Sequence, residues 1–197
     1  MKSVRVLAAL LCAFIAISYS LRARSAPGVS KGASQLSEVA AELKLLYEQD
    51  QADRTFDSPP TQEQWQEITT RDELRRDRVI EIIGAGQLDT GDDYYHAAMV
   101  LQHASGSDDI MTAHILATVA GFKGHEGGQW LSAAALDRYL HRTDSAQRLG
   151  TQFIRRTMEE PWSLGDYDDW LPDSVRSEFG VPPRSEQEAR VKSMNAR

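Results

Sequence analysis

Apolar residues along this chain recur mainly at intervals of three and four. Leu36, Val39, Ala40, Leu43, Leu46 and Tyr47 trace one such stripe, the spacing of a helix face turned to a core. Ser37 is placed to cap that helix, and DSPPT (residues 57–61) ends it, because proline cannot continue a helix. Asp72 opens a second segment in which Leu74, Val79, Ile82 and Ile83 form the stripe and Gly84 and Gly86 stop it. DYYHAAMVLQH (residues 93–103) predicts a third, almost wholly buried helix, with Asp92 or Asp93 as its cap. GSDD (residues 106–109) makes a turn and caps MTAHILATVAGFKG, and the Gly-rich HEGGQ leads into WLSAAALDRYLHR. Up to residue 143 no segment alternates with period two, so the body is expected to be all-α.

Beyond residue 143 the pattern weakens. QRLGTQFIRR fits either a strand or a helix, with Gly150 and Thr151 weakening the helix. A tail holding Trp162, Trp170, Pro172, Pro182 and Pro183 reads as irregular structure wrapping the bundle, with room for a short β-hairpin. EQEARVKSMNAR (residues 186–197) reads as a short exposed helix. Ala97-Ala98 and Ala133-Ala134 stand 36 residues apart, and small side chains at matched positions let helices approach closely. This packing resembles that of tetratricopeptide and Sel1-like hairpins. The expected architecture is a compact bundle of stacked helical hairpins over residues 36–158, followed by an irregular wrap and terminal helix over 159–197.

The first residues change the picture of where the protein works. Lys2 and Arg5 precede an apolar run from Val6 to Ile17, followed by small residues, the layout of an export signal. Ser18-Tyr19-Ser20 and Ala23-Arg24-Ser25 both offer cleavage positions. The run falls short of the roughly 20 residues a membrane-spanning helix needs. Residues 1–25 are therefore expected to be a signal peptide and APGVSKGASQ (26–35) a linker, placing the protein in the periplasm or outside the cell. An uncleaved amino-terminal anchor is the alternative, since Arg22 and Arg24 follow closely. Cys12, the only cysteine, lies within the apolar run behind Leu11 rather than a small residue, which argues against lipidation. A processed chain would lack cysteine, excluding disulfides, thiol catalysis and thiolate metal sites.

Charge narrows the partners. The full chain has 22 basic and 29 acidic residues, net −7; without residues 1–25 it keeps 18 basic residues and all 29 acids, net −11. So acidic a surface repels phosphate backbones and anionic lipid. Nucleic acid is not an expected partner, nor is the membrane after cleavage.

Four segments also carry polar groups beside strongly apolar neighbours. These are Asp50, Gln51 and Arg54 in the first, Gln102 and His103 ending DYYHAAMVLQH, Asp137 and Arg138 in AAALDR, and Gln147, Thr151 and Gln152 in QRLGTQ. Taken in order, DQxxR, DxxRRxRVxxII (Asp72 to Ile83), QH, AAALDR and QxxGTQ resemble a bacterial domain family of unknown function. The resemblance covers about residues 43–185. It implies an all-α body with an irregular tail, and it implies that Asp50, Gln51, Arg54, Gln102, His103, Asp137, Arg138, Gln147 and Gln152 are family features. It implies no activity.

The chemistry of these residues leaves two readings open. A buried polar group without a partner costs roughly 1–3 kcal/mol, so the pairs must meet one another or surround a ligand. Asp50 and Arg54 alone make an ordinary i, i+4 helix-surface pair, and His103 suits a helix C-terminus. His96 and His103 are two helical turns apart, about 10.5 Å of rise, too far to share one ion. His103, His114 and Asp137 could converge from three helices, but no metal is expected, and no other cofactor. GxSxG, Walker and Rossmann glycine patterns are absent. Adjacent acids such as Asp92-Asp93 and Asp168-Asp169 do not face each other and read as caps or solvated turns. The leading expectation is a non-catalytic binding or interaction module whose partner is a protein or a small polar ligand. Its pocket or lock is built from Asp50, Gln51, Arg54, Gln102, Gln147, Thr151 and Gln152. The alternative is a hydrolase in which Asp137 orients His103 as the base and Arg138 stabilises negative charge. Trp65, Trp130, Trp162 and Trp170 are candidate recognition aromatics.

Overall fold

The computed structural model describes residues 33–56, 60–155, 157 and 159–196. The chain divides into two units, Met1–Lys31 and Gly32–Arg197, and every element below belongs to the second. The expected signal peptide, and the linker as far as residue 32, lie outside the described residues. The all-α body anticipated from the 3–4 periodicity is the body that forms. Among the described residues there are seven helices: α1 (Ala33–Ala52), α2 (Gln62–Gly84), α3 (Gly91–Leu101), α4 (Ser107–Phe122), α5 (Gly128–Arg142), α6 (Asp173–Glu178) and α7 (Arg184–Asn195). None of them is long and apolar enough to cross a membrane.

Three helix starts differ from expectation. α2 begins at Gln62, ahead of Asp72, because Thr61 closes a capping box: its hydroxyl accepts from the Gln64 N–H and the Gln64 side chain accepts from the Thr61 N–H. Only Ile68 is buried in that first stretch, so no apolar stripe announced it. The cap of α3 is Thr90, and Asp93 sits at the third helical position, accepting from the Thr90 and Asp89 N–H groups. α1 likewise extends back to Ala33, inside the expected linker.

The main core joins the first five helices. Leu43 of α1, Val79 and Ile82 of α2, Ala97, Ala98 and Leu101 of α3, Ala113 and Ala117 of α4, and Leu131 and Ala135 of α5 are fully buried together. Each buried leucine contributes about 2 kcal/mol through removal from water. α4 packs most extensively, between α3 and α5, whereas α3 and α5 touch each other little. The alanine pairs are buried as expected, but the closest helix approach belongs to glycine. A Cβ on Gly128 would fall 2.3 Å from the Gly121 amide nitrogen, so only glycine lets α5 start there against α4.

The described residues between 143 and 172 are neither strand nor helix, apart from isolated bridges between Gln147 and Tyr167 and between Ile154 and Ser163. Leu149 and Val181 pack with Ala133 of α5, together with Leu136, Leu171 and Phe179. This second cluster seats the tail on the bundle. Asn195 at the end of α7 accepts from the Trp162 N–H and donates to the Trp162 carbonyl, tying the last helix to the irregular segment.

Candidate functional site

The carboxyl ends of α1 and α3 and the middle of α5 converge with residues 151–155 around an open cavity. It has two lobes, about 500 and 610 Å³, which share Arg54, Gln102, His103, Arg138, Gln152, Phe153 and Trp162. Of the residues singled out in the sequence, Gln51 and Thr151 also line it. Asp50 sits behind the wall, fully buried. Asp137 and Gln147 are elsewhere.

Asp50 organises the α1 side. Gln51 Nε2 donates to it at 2.7 Å, and Arg54 Nη1 lies 2.9 Å from the carboxylate while also donating to the Asp50 carbonyl at 2.8 Å. His103 Nδ1 is 3.0 Å from both Asp50 oxygens. An ionised carboxylate only accepts, so Nδ1 carries the ring proton and Nε2 is left with its lone pair. Nε2 has no partner among the described residues and is not sealed, and His103 lines both lobes. Burial pushes the His103 pKa below the ordinary histidine value, opposed by Asp50 and reinforced by the Arg54 and Arg138 charges.

Asp50 is thus no ordinary surface partner of Arg54. Arg54 Nη2 continues to Asp72 at 2.8 Å, Asp72 to Arg75 at 2.6 Å, and Arg75 to Asp53 at 2.7 Å. Arg71 closes the chain bidentately on Asp53, both bonds at 2.9 Å. These alternating charges fasten the end of α1 along α2, and they hold the Asp53 carboxyl below its usual range, first through the Arg71 hydrogen bond. The opposed charges of DQADR and RDELRR were the sequence signal for this link; Asp53, Arg71 and Arg75 went unnoticed because no spacing rule joins residues 18 to 22 apart.

The expected pairing of His103 with Asp137 is corrected. Asp137, fully buried on α5, accepts from the Arg148 and Leu149 N–H groups at 2.7 and 3.0 Å, and from the Thr151 N–H and hydroxyl, both at 2.9 Å. With four donors on two oxygens it has nothing left for a histidine. His114 does not join them either; its Nδ1 meets the Ser132 carbonyl at 2.9 Å and hydroxyl at 3.0 Å. Among the described residues no three His, Cys, Asp or Glu side chains are grouped as metal ligands.

Gln147 is a positioning residue. Its Oε1 accepts from the Gln152 N–H at 3.0 Å and its Nε2 donates to the Gln152 carbonyl at 3.1 Å and to the Leu164 carbonyl. Gln152, so held, donates to the Ala134 carbonyl at 3.0 Å and accepts from Arg138 Nε at 3.3 Å. Arg138 Nη1 donates to the Gln102 carbonyl at 3.0 Å, capping the end of α3. Beyond these neutral acceptors Arg138 has no carboxylate partner among the described residues. Desolvation first, then the neighbouring Arg54 and Arg142 charges, lowers its pKa to about 10. Among the described residues the Gln102 amide donates only to the Met99 sulfur, at 3.2 Å, a weak acceptor.

Aromatic side chains complete the cavity. Trp65 and Trp162 line one lobe; Tyr47, Tyr95, Trp130, Phe153 and Trp162 line the other. Trp170 stands apart from it, strongly exposed. Of these, Tyr47, Tyr95 and Phe153 gave no chemical signal in the sequence, being indistinguishable there from core residues. Compared with known proteins, the chain matches no family model, no curated protein and no solved structure.

Proposed function

We propose that the chain is a binding module whose junction of α1, α3 and α5 takes a small polar ligand. The single observation that carries this reading is the open cavity. Seven of the polar residues picked from the sequence (Gln51, Arg54, Gln102, His103, Arg138, Thr151 and Gln152) line it, even where they bond one another as Arg138 does Gln152. Its lobes fall in the size range of small-molecule sites, roughly 300–1,000 Å³. The resemblance of its ordered motifs to a bacterial domain family is consistent with the same residues acting as a unit, and the amino-terminal pattern is consistent with action after export.

A second reading rests on the Asp50–His103 bond. A carboxylate that fixes the imidazole tautomer and leaves Nε2 toward a cavity is the arrangement a general base needs. In this hydrolytic alternative Asp50, not Asp137, orients His103, and Arg138 stabilises negative charge. The nucleophile would be water, because the Thr151 hydroxyl is already engaged with Asp137 and Gln152.

A thermal-shift screen of small polar molecules tests the binding reading, run on the full chain beside Gln152→Ala and His103→Gln. Hits whose stabilisation disappears in both variants are expected. Hits unaffected by either variant would place binding elsewhere and contradict it. Hits that are consumed with wild type and persist with His103→Gln would favour the hydrolase.

A further inference from the structure

Arginines on the α1–α2 face of this acidic protein are matched by carboxylates. Arg71 has Asp53, Arg76 has Asp109, Arg78 has Glu42, and Arg54 and Arg75 share Asp72. Arg138 is the exception that matters, because it is drawn into the cavity wall and still lacks an acid. Arg142, one turn further along α5, also has no ion pair among the described residues and adds to the positive field at Arg138. Among the described residues none of the acids forms an ion pair with either of them; Asp50 lends Arg138 some opposing field, but its carboxylate is already engaged by Gln51, Arg54 and His103. A desolvated guanidinium without a counter-charge is unfavourable unless something supplies one. The α3 carbonyl end and Gln152 satisfy two of its N–H directions only. The lobe beyond Arg138 changes character: Tyr47, Tyr95, Met99, Trp130 and Phe153 form it, with no acidic residue in its lining.

We propose, building on the binding-module reading, that the ligand is an amphipathic organic anion. Its carboxylate or phosphate head meets Arg138, with Arg142 strengthening the attraction, and its aromatic or apolar body lies against Trp130 and Phe153. The head meets a guanidinium already stripped of much of its water by burial, so its charge-assisted hydrogen bonds are strong. The body removes apolar surface from water. A neutral ligand of the same shape gains only the second part.

The test titrates the full chain with benzoate, phenyl phosphate, inorganic phosphate and the neutral analogue benzamide, reading tryptophan fluorescence and thermal midpoint. Benzoate or phenyl phosphate is expected to bind at least about tenfold more tightly than benzamide, and more tightly than inorganic phosphate, which lacks the body. Which of the two binds better identifies the head. Arg138→Gln is expected to stay folded, with an unliganded midpoint at or above wild type, and to lose at least about tenfold in anion affinity. Because Arg138 also caps α3, Arg142→Gln on the exposed end of α5 serves as the second variant, expected to weaken the anions and leave benzamide unchanged. Equal binding of benzamide and benzoate, or anion affinity unchanged in both variants, overturns the anion while leaving the pocket standing. Absence of binding by every probe, charged or neutral, at millimolar concentration overturns both.

Discussion

Asp50 on α1 and Asp137 on α5 are equally inaccessible, yet the groups that satisfy them differ in kind. Asp137 receives three backbone N–H groups and the Thr151 hydroxyl, all from one segment, residues 148–151. It fixes the path of a chain that has no helix or sheet to fix it. Asp50 receives side chains, from Gln51, Arg54 and His103, and each of the three continues to the cavity wall. A buried carboxylate serving backbone donors shapes the fold; one serving side chains that end at a cavity orients a site. The two are nonetheless linked, since the segment Asp137 holds delivers Thr151 and Gln152 to the same cavity.

Removing each acid separates the roles most sharply. Asp137→Ala strands buried backbone donors that no other described side chain serves, and is expected to cost about 4 kcal/mol, a large part of an ordinary domain's stability. Asp50→Ala is expected to cost about half as much, because Gln51 and His103 can turn to cavity water and Arg54 keeps Asp72. Urea midpoints of the two variants give the order, and an equal or reversed order would break the comparison. A smaller effect comes from acid. Burial lowers the His103 and His96 pKa values in the folded protein, so between those values and about 6.5 the unfolded chain binds more protons. Stability is full above that ordinary value and falls as pH drops through it. A second loss follows at lower pH, as Glu42 and Asp53, whose pKa values are lowered chiefly by Arg78 and Arg71, become protonated. Urea midpoints between about pH 7.5 and pH 5 measure the first loss, and a flat profile across that interval would contradict it.

The helices were legible because apolar spacing is a local property, readable from Leu36 to Tyr47 or from Val79 to Ile83 without knowing the fold. The start of α2 was not, since residues 62–71 bury almost nothing; its Thr61–Gln64 capping box was the available signal. The polar residues of the site were legible as a set because each breaks an apolar stripe. Their pairing was not. Asp50 lies one helical turn after Leu46 and Tyr47, and Asp137 follows Leu136, so both adjoin an apolar stripe, and nothing local tells which one lies 53 residues from its histidine in the chain and 3.0 Å from it in space. The aromatic lining was hidden for the opposite reason: Tyr47, Tyr95 and Phe153 look like core and serve as cavity wall.

The measurement that bears most directly on the comparison is the pKa of His103, followed by NMR through its ring proton signal in wild type, Asp50→Asn and Asp137→Asn. A site oriented by Asp50 requires that His103 titrate in the folded protein, below the ordinary histidine range. Its pKa should then fall further in Asp50→Asn, which removes the charge that raises it and weakens the hydrogen bond from a charge-assisted to a neutral one, and stay unchanged in Asp137→Asn. A His103 that never titrates while the protein remains folded, or one that responds to Asp137 and not to Asp50, would contradict the account.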